Sequence, residues 1–358
     1  MELISKTIKF FLFILILTNC SYDHFQDLIM TENKYVIASE EHLKSIEYQK
    51  EISDFFEIGS GGFFDGDKGI SIYYKYFLQN EINIEKGAIL ISNGRRENVL
   101  KYKEVIYDLY KNGYSVYIVD HRGQGFSDRI HKPDKQMGHI DNFEYYVSDL
   151  KKYFDKFVKI NDHKKMFLLA HSMGGTIGTR YIEKFPLDFN AAAFSSPMFG
   201  LKFPACELIG FLTGDKPKYL FGEKNFDDEE NSFSTNNLTH SKIRYEAMMN
   251  MYENNPSTKI GGPSYQWVYQ SCKTFKKIFK ELQKIEIPII LIQAGEDKVV
   301  TTNAQKKFVL ELKKLGKDVQ GFTIDGAYHE ILIEKDEYRI PLLTNILDFF
   351  ADIRNVEE

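Results

Sequence analysis

Short apolar runs alternate along the chain with longer segments that carry apolar residues three and four positions apart. The apolar runs lie at positions 88–91, 116–119, 167–170, 191–194, 289–292 and 319–324. The segments with helical periodicity lie at 99–111, 143–159, 176–185 and 304–315, and a final helix is predicted at 338–353. Strands that are apolar throughout and separated by helices predict an α/β fold, in which helices cover both faces of a mostly parallel sheet.

The segment before the first of these strands has a different pattern. Positions 70–77 largely alternate between residue types that suit the buried face of a strand and types that suit its exposed face. A turn at Asp65-Gly66-Asp67 separates them from Phe63 and Phe64. This arrangement predicts an antiparallel hairpin. Residues 21–57 are polar and mixed, with weak helical periodicity, which indicates a tether followed by a lead-in helix.

The alternation of strands and helices is interrupted between positions 197 and 283. We therefore predict a core made of residues 58–196 and 284–358, and an insertion made of residues 197–283. The insertion follows an apolar strand, so it would project from the carboxyl edge of the sheet, where α/β folds place their ligands. A helical lid over a binding site is the expected role of such an insertion.

The segment from Leu168 to Gly175 combines an apolar strand, a serine and two glycines. A strand that turns sharply at a serine and continues as a helix is typical of a nucleophile elbow. Ala170 stands where such elbows usually have their first glycine, and it is also small. The alternative is an ordinary junction in which Ser172 caps a helix. The two glycines directly after the serine favour the elbow, and we predict Ser172 as a nucleophile.

A serine hydroxyl is a weak nucleophile at neutral pH and needs a positioned base. In elbow-bearing chains an acidic residue and then a histidine follow the serine. Asp297 comes after the apolar run at 289–292, and His329 comes after the run at 319–324. We predict that Asp297 orients His329 through Nδ1–H, and that Nε2 accepts the Ser172 proton. Glu296 is the competing carboxylate.

Acyl transfer also requires N–H donors for the oxyanion of the tetrahedral intermediate. The residue after the nucleophile, Met173, is expected to supply one of them from its backbone. The second donor should lie in the loop after the strand at 88–91, and we assign it to the backbone N–H of Arg95. The alternative for this loop is a simple glycine turn at Gly94.

Residues 1–20 have the features of an export signal. Lys6 and Lys9 precede an apolar run at 10–17 that is too short to span a bilayer as a mature helix. The run ends in Leu17-Thr18-Asn19-Cys20, which resembles the processing site of bacterial lipoproteins. This predicts a lipidated Cys20 and attachment to a membrane surface of the bacterial cell envelope. The alternatives are an uncleaved membrane anchor and an ordinary secretory signal that yields a periplasmic or secreted protein.

Charge and cysteine content narrow the range of partners. The formal net charge of −5 argues against a nucleic-acid partner, which requires a clustered basic surface. No Cys-x-x-Cys pair is present, so no metal site of the usual zinc spacing is expected. Cys206 and Cys272 are expected to be unpaired thiols, and a bridge between them is the alternative if the protein is exported. The sequence does not indicate an oligomeric state.

Several segments are similar to the lysophospholipase and monoacylglycerol lipase family of α/β hydrolases, and especially to its bacterial lysophospholipase branch. The similarity extends over roughly residues 55–350 of the chain. Its motifs lie at 120–128, 170–175, 195–200, 238–241, 261–268 and 326–332. Two of them fall within the insertion, so the similarity is not confined to the core.

The resemblance implies an α/β-hydrolase fold and hydrolysis of the carboxylic ester of a single-chain lipid through an acyl-enzyme intermediate, with no metal or organic cofactor. It carries the catalytic triad onto Ser172, Asp297 and His329, and it implies that Arg122 and Asp128 brace the loop beside the site. Two alternatives remain open. The triad could serve a peptidase or a small-ester esterase, because the fold does not determine the substrate. The chain could also be a lipoprotein that only binds lipids.

The beginning of the insertion is rich in apolar residues. We expect some of them to roof an acyl-chain pocket above Ser172 and others to pack within the insertion. These residues are Phe199, Leu201, Phe203, Leu208, Ile209, Phe211 and Leu212.

Overall fold

The computed structural model describes residues 25–28, 34–79, 85–202, 206–214, 216–227 and 232–355. The predicted signal peptide and Cys20 lie outside these residues, as do Phe203 and the side chain of Leu208. Within the described ranges, no helix has both the length and the apolar character that crossing a bilayer requires.

A mixed sheet forms the centre of the fold, and nine strands of it lie in the described residues. The strands are β1 (Gln26–Asp27), β2 (Ser60–Asp65), β3 (Ser71–Phe77), β4 (Ala88–Ser92), β5 (Ser115–Val119), β6 (Met166–His171), β7 (Ala191–Ser195), β8 (Ile289–Ala294) and β9 (Val319–Ile324). Their order across the sheet is β1-β9-β8-β7-β6-β4-β5-β3-β2. The six predicted apolar runs are β4 to β9, which pair in parallel, so the predicted mostly parallel sheet is confirmed.

One edge of the sheet was predicted from the sequence, and the other was not. The predicted hairpin is present as β2 and β3, and β3 pairs antiparallel with β5. At the opposite edge, β1 pairs in parallel with β9. Strand β1 was not predicted, because its two residues lie in the segment interpreted as a tether. Such a short strand has no periodicity from which it could be recognised.

The described helices lie between the strands and in the insertion. They are α1 (Glu40–Leu43), α2 (Ile46–Ile58), α3 (Lys103–Lys111), α4 (Glu144–Tyr153), α5 (Met173–Lys184), α6 (Cys206–Ile209), α7 (Lys242–Asn254), α8 (Tyr265–Glu281), α9 (Thr302–Lys314) and α10 (Asp336–Asn355). The expected lead-in helix is α2. The helices predicted inside the core are α3, α4, α5 and α9, and the final one is α10. The first part of the segment predicted at 99–111 is a 3₁₀ turn, Val99–Tyr102.

Alternate residues of the central strands pack on opposite faces of the sheet. On β4, Ala88 and Leu90 belong to one buried cluster, and Ile89 and Ile91 belong to the other. Helices α4, α5, α8 and α9 contribute to the first cluster, and α3 and α10 contribute to the second. Each large apolar side chain buried in this way stabilises the fold by about 1.5–3 kcal/mol. The sheet is therefore held from both sides, as predicted.

The insertion between β7 and β8 contains α6, α7 and α8, joined by irregular segments. Helix α6 packs against α8, and a disulfide joins Cys206 to Cys272, whose Cα atoms are 5.6 Å apart. The expectation of two unpaired thiols was therefore wrong. The cysteines are separated by 66 positions along the chain, so only the packing of α6 against α8 reveals the pair.

The apolar residues at the start of the insertion lie in different environments. Phe199 and Ile209 are buried in the core, and Leu201 lines the cavity described below. Phe211 and Leu212 are 87% and 53% exposed. The expectation that these two side chains either roof a pocket or pack within the insertion was wrong. The sequence shows how apolar a residue is but not which way an irregular segment turns it.

Candidate active site

Ser172 lies in the sharp turn between β6 and α5. Its φ of 51° and ψ of −120° are unfavourable for a residue with a side chain. Two backbone hydrogen bonds hold the turn, from Ser172 N to Ser195 O at 3.2 Å and from Met198 N to Ser172 O at 2.8 Å. A Cβ atom at Gly174 would lie 1.9 Å from the carbonyl oxygen of Ser92, so only glycine permits this close approach of α5 to β4. The predicted strand–turn–helix geometry is present.

Three of the predicted site residues form a continuous hydrogen-bonded chain. His329 Nε2 lies 2.9 Å from Ser172 Oγ, and His329 Nδ1 lies 2.7 Å from Asp297 Oδ2. All three side chains are buried. Ser172, Asp297 and His329 follow β6, β8 and β9, and the carboxyl ends of these parallel strands meet at one edge of the sheet. With Nδ1–H donating to Asp297, Nε2 is free to accept from the serine hydroxyl.

The surroundings of Asp297 keep it ionised. Its Oδ1 accepts hydrogen bonds from the backbone N–H groups of Val299 at 2.8 Å and Val300 at 2.9 Å. Burial on its own would raise the pKa of Asp297, but the His329 ring and these N–H groups outweigh burial and hold the pKa below its usual value. Glu296 is exposed, so the structure brings Asp297 rather than Glu296 to the histidine.

The two predicted oxyanion donors lie on segments that flank Ser172. Met173 is the first residue of α5, so its N–H is one of those that no carbonyl of its own helix accepts. A Cβ atom at Gly94 would lie 3.1 Å from Ser172 Cβ, so the loop after β4 passes directly beside the serine. Arg95 follows in that loop, and its guanidinium Nη1 donates to the carbonyl oxygen of Gly261 at 2.8 Å.

A buried ionic network, which the sequence analysis missed, holds the same loop. Glu97 accepts hydrogen bonds from Gly94 N and, at 2.7 Å, from Tyr102 Oη. Lys101 Nζ lies 2.8 Å from Glu97 and 2.5 Å from Glu330. Burial alone would raise the pKa of Glu97, but Lys101 and the other neighbours lower it to about 2. The i,i+4 spacing of Glu97 and Lys101 was visible in the sequence, but their burial was not.

Glu97, His171 and Glu330 place potential metal-ligand atoms within 4.8 Å of one another. The Lys101 ammonium group binds both carboxylates and already supplies the positive charge that they require. His171 Nδ1 donates to the carbonyl oxygen of Ser195 at 3.0 Å, and desolvation lowers the pKa of His171. We therefore interpret this group as a support for the loop beside Ser172 rather than as a metal site.

The segment at 120–128 braces the site from the other side. Arg122 Nε lies 2.6 Å from Asp149 Oδ2, which ties the segment to α4. Asp128 accepts a hydrogen bond from the first residue of β3 at 2.9 Å. Gln124 Nε2 donates to the carbonyl oxygens of Gly94 at 2.7 Å and Glu97 at 3.0 Å. The bracing contacts expected of Arg122 and Asp128 are therefore present, and Gln124 reaches the loop beside the serine.

Ser172 borders a cavity of about 660 Å³, a volume within the range of small-molecule sites. The insertion supplies most of its apolar lining, and the loop after β8 supplies the rest. The apolar lining residues include Met198, Leu201, Leu220, Met248, Met249, Trp267, Val268, Val299 and Val300. The cavity can therefore accommodate an apolar group beside the serine hydroxyl.

Comparison with known proteins places this geometry in a family. A family model described as serine aminopeptidase, S33, matches residues 83–336. The chain is 36% identical to the probable lysophospholipase L2 of Haemophilus influenzae over 84% of its own length and 94% of that protein. It is 35% identical to lysophospholipase L2 of Escherichia coli K12 over 74% of its own length and 80% of that protein.

Solved structures show the same architecture at lower identity. The monoacylglycerol lipase of Paleococcus ferrophilus superposes with a TM-score of 0.61 at 21% identity, over 79% of this chain and 99% of that one. A soluble variant of the monoglyceride lipase of Saccharomyces cerevisiae superposes with a TM-score of 0.64 at 18% identity, over 83% of this chain and 95% of that one. With the sequence match extending over most of the chain, the protein belongs to the serine aminopeptidase S33 family and has the α/β-hydrolase fold.

Proposed function

We propose that this chain is a serine ester hydrolase that releases the fatty acid of a single-chain lipid, either a lysophospholipid or a monoacylglycerol. The observation that carries the proposal is the hydrogen-bonded chain from Asp297 through His329 to Ser172 beside an apolar cavity. The lysophospholipase names of the bacterial relatives support the substrate class. The apolar lining supports a lipid rather than a small polar ester.

In the proposed first half-reaction, Ser172 Oγ attacks the ester carbonyl carbon while His329 Nε2 accepts the hydroxyl proton. Asp297 stabilises the resulting imidazolium by accepting from Nδ1–H. The carbonyl oxygen becomes an oxyanion, which the backbone N–H groups of Met173 and Arg95 are proposed to bind. When the intermediate collapses, His329 donates its proton to the glycerol oxygen of the leaving group, and the acyl group remains on Ser172.

In the second half-reaction, a water molecule attacks the acyl-enzyme. His329 removes a proton from the water and then returns it to Ser172 Oγ as the fatty acid leaves. No step requires a metal ion or an organic cofactor, because the histidine handles every proton and the backbone donors stabilise the oxyanion. The insertion is proposed to act as a lid that encloses the acyl chain.

Replacing Ser172 by alanine tests the proposal most directly. We expect hydrolysis of single-chain lipid esters to fall on the order of a million-fold, as for loss of a triad nucleophile. Far-UV circular dichroism should be unchanged, because alanine only removes the hydroxyl group. Near-normal turnover by purified Ser172→Ala protein would contradict the proposal. Failure of the wild-type protein to react with a fluorophosphonate probe would favour a protein that only binds lipids.

A substrate panel separates the favoured activity from its alternative. The panel contains lysophospholipids, monoacylglycerols, short-chain esters and aminoacyl amides, each tested with the wild-type enzyme. We expect the highest kcat/KM for long-chain lipid esters. Cleavage of aminoacyl amides in preference to these esters would instead indicate a peptidase.

We further propose that the protein works in the bacterial cell envelope, attached to a membrane through a lipidated Cys20. The lipoprotein-like segment at 17–20 supports this location. The Cys206–Cys272 disulfide supports it independently, because disulfides form and persist in oxidising compartments outside the cytoplasm. Intact-mass analysis of the native protein should show a chain that begins at a lipid-modified Cys20. An intact Met1 or an unmodified Cys20 would contradict the lipoprotein proposal.

A further inference from the structure

The cavity beside Ser172 has an excess of positive charge although the whole chain has a net charge of −5. Its lining contains five cationic side chains and three carboxylates. The cations are Arg95, Arg96, Lys101, Lys202 and Lys298, and the carboxylates are Glu97, Glu223 and Glu330. An excess of two positive charges in a partly desolvated site favours an anionic ligand.

Most of these cations already have partners inside the protein. Lys101 binds Glu97 and Glu330. Lys202 donates to the backbone oxygen of Asp297, and Lys298 Nζ lies 3.2 Å from Tyr328 Oη. Lys101, Lys202 and Lys298 therefore each have a partner within the protein.

The two arginines differ in whether their guanidinium groups have a partner within the protein. Arg95 donates to the Gly261 carbonyl oxygen and lies over the Trp267 ring at 5.5 Å. Arg96 lies over the Phe226 ring at 4.9 Å. Among the residues that the structure describes, no hydrogen-bond or ion-pair partner of the Arg96 guanidinium is found. Arg96 is therefore the cation of this cavity whose five N–H donors are free for a ligand.

The backbone holds Arg96 in place at an energetic cost. Its φ is 64°, a left-handed conformation that residues with side chains rarely adopt. Tyr252 Oη donates to the carbonyl oxygen of Arg96, and Glu97, the next residue, is fixed in the buried network. Strained backbone that is held by its surroundings is concentrated at functional sites. Stacking on Phe226 leaves the edge of the guanidinium available for a bidentate anion.

We propose that Arg96, with Arg95 behind it, binds the phosphate of the substrate head group, so that lysophospholipids are preferred over uncharged monoacylglycerols. The distances suit this role. Arg96 is two residues from Gly94, which lies against Ser172, and two Cα–Cα steps place the Cα atoms of Gly94 and Arg96 at most roughly 7.6 Å apart. In a lysophospholipid the phosphorus is about five bonds from the scissile ester oxygen, which is a comparable length.

The electrostatics of Arg95 support the same conclusion. Desolvation, and then the neighbouring Arg96 charge, lower the pKa of Arg95 to about 10. Two adjacent guanidinium groups therefore repel each other in a site where water screens them poorly. A phosphate would relieve this repulsion, and its planar pairs of oxygens match the fork of an arginine.

The test compares two substrates that share one acyl chain, oleoyl lysophosphatidylethanolamine and oleoylglycerol, with the full-length protein and Arg96→Gln. Glutamine removes the charge without adding a new backbone constraint. We expect kcat/KM for the lysophospholipid to fall about 10- to 100-fold, mainly through KM. Hydrolysis of oleoylglycerol should change less than twofold, which also shows that the variant is folded. The kcat/KM of Arg96→Lys for the lysophospholipid should lie between those of the wild type and Arg96→Gln. Lysine keeps the positive charge but cannot form the paired N–H contacts of a guanidinium group.

Lys259→Gln is the matched control. Lys259 Nζ lies over the same Phe226 ring at 5.4 Å but does not line the cavity. We expect this change to leave both substrates within twofold of the wild type. The proposal is overturned if Arg96→Gln affects both substrates equally or neither, or if Lys259→Gln produces the same selective loss. It rests on the proposed function. A wild-type enzyme that cleaves neither lipid would overturn that function. This outcome is distinguishable from the other, in which the wild type cleaves both lipids and Arg96→Gln changes both rates equally.

Discussion

The strand-end loops of the core and the insertion meet at the same cavity, but they are built in different ways. Each triad residue follows a buried parallel strand, so the register of the sheet sets its position. The insertion is attached through scattered contacts. These include the packing of α8 in the first buried cluster, the Arg95–Gly261 hydrogen bond and an isolated bridge between Leu201 and Val300. The Cys206–Cys272 bridge joins α6 to α8 within the insertion itself.

This difference separates chemistry from selectivity. The groups proposed to handle protons belong to the core, where many backbone hydrogen bonds resist displacement. The apolar lining comes mostly from the insertion, and some of its side chains, such as Leu201 and Leu220, are only partly buried against the core. Changes in the strand-end loops should therefore reduce the rate for every substrate. Changes in the insertion should alter which substrates are preferred.

After Ser172→Ala, the largest effect is expected for Asp297→Asn. An asparagine cannot hold the productive histidine tautomer, and the equivalent loss in the best-studied triad lowers kcat on the order of ten-thousand-fold. Short and long esters should lose activity equally, since the change lies in the core. Glu296→Gln is the matched control and should stay within threefold in the same steady-state assay. If Glu296→Gln is the crippling change, the wrong carboxylate has been assigned.

Removing the disulfide tests how the helices of the insertion are held together. Cys206→Ser removes a link that closes a loop of 66 positions, which should lower the free energy of unfolding by about 4 kcal/mol. Urea denaturation monitored by tryptophan fluorescence measures the change, because Trp267 lies in α8, the helix that carries Cys272. Adding reductant should destabilise the wild type by a similar amount and leave the variant unaffected. Equal stability of the two proteins in the absence of reductant would contradict a formed bridge.

A buried histidine of the core provides a pH-dependent test. His121 lies 3.0 Å from Ser92 Oγ, and desolvation lowers its pKa to about 3. Below about pH 6.5 the unfolded chain binds a proton that the folded protein excludes, so stability is lost as the pH falls from there toward 3. The penalty that His121→Gln causes at pH 7.5 should therefore shrink by about 2 kcal/mol at pH 5. Urea midpoints at both pH values test this, and an unchanged difference would contradict it.

The smallest effect concerns the acyl chain. Each methylene buried against the insertion should add about 0.8 kcal/mol to binding, so kcat/KM should rise about tenfold for every two methylenes until the cavity is full. Leu201→Ser combined with Leu220→Ser should flatten this rise while short esters remain substrates. The exposed pair Phe211→Ser and Leu212→Ser is the control and should leave the profile unchanged. A wild-type profile that is independent of chain length would show that the cavity does not bind the acyl chain.

Local patterns in the sequence were sufficient for the framework of this protein. Parallel strands that are buried on both faces must be apolar throughout, so β4 to β9 and the helices between them could be recognised one at a time. The elbow at Ser172 is also local, because its small residues are required by the turn itself. The order of serine, acidic residue and histidine then pointed to Asp297 and His329, since each follows a recognisable strand.

Other features depended on segments that only the fold brings together. The Cys206–Cys272 bridge, the network of Glu97, Lys101 and Glu330, and the exposure of Phe211 have no signature in any single stretch of sequence. A charged residue on a helix is usually solvated, and whether it is buried against a partner depends on what packs over it. The sequence by itself therefore determined the fold and the residues proposed to react. The tertiary structure alone decided the shape and charge of the cavity, because residues that are distant in the chain together form its wall and contribute its charges.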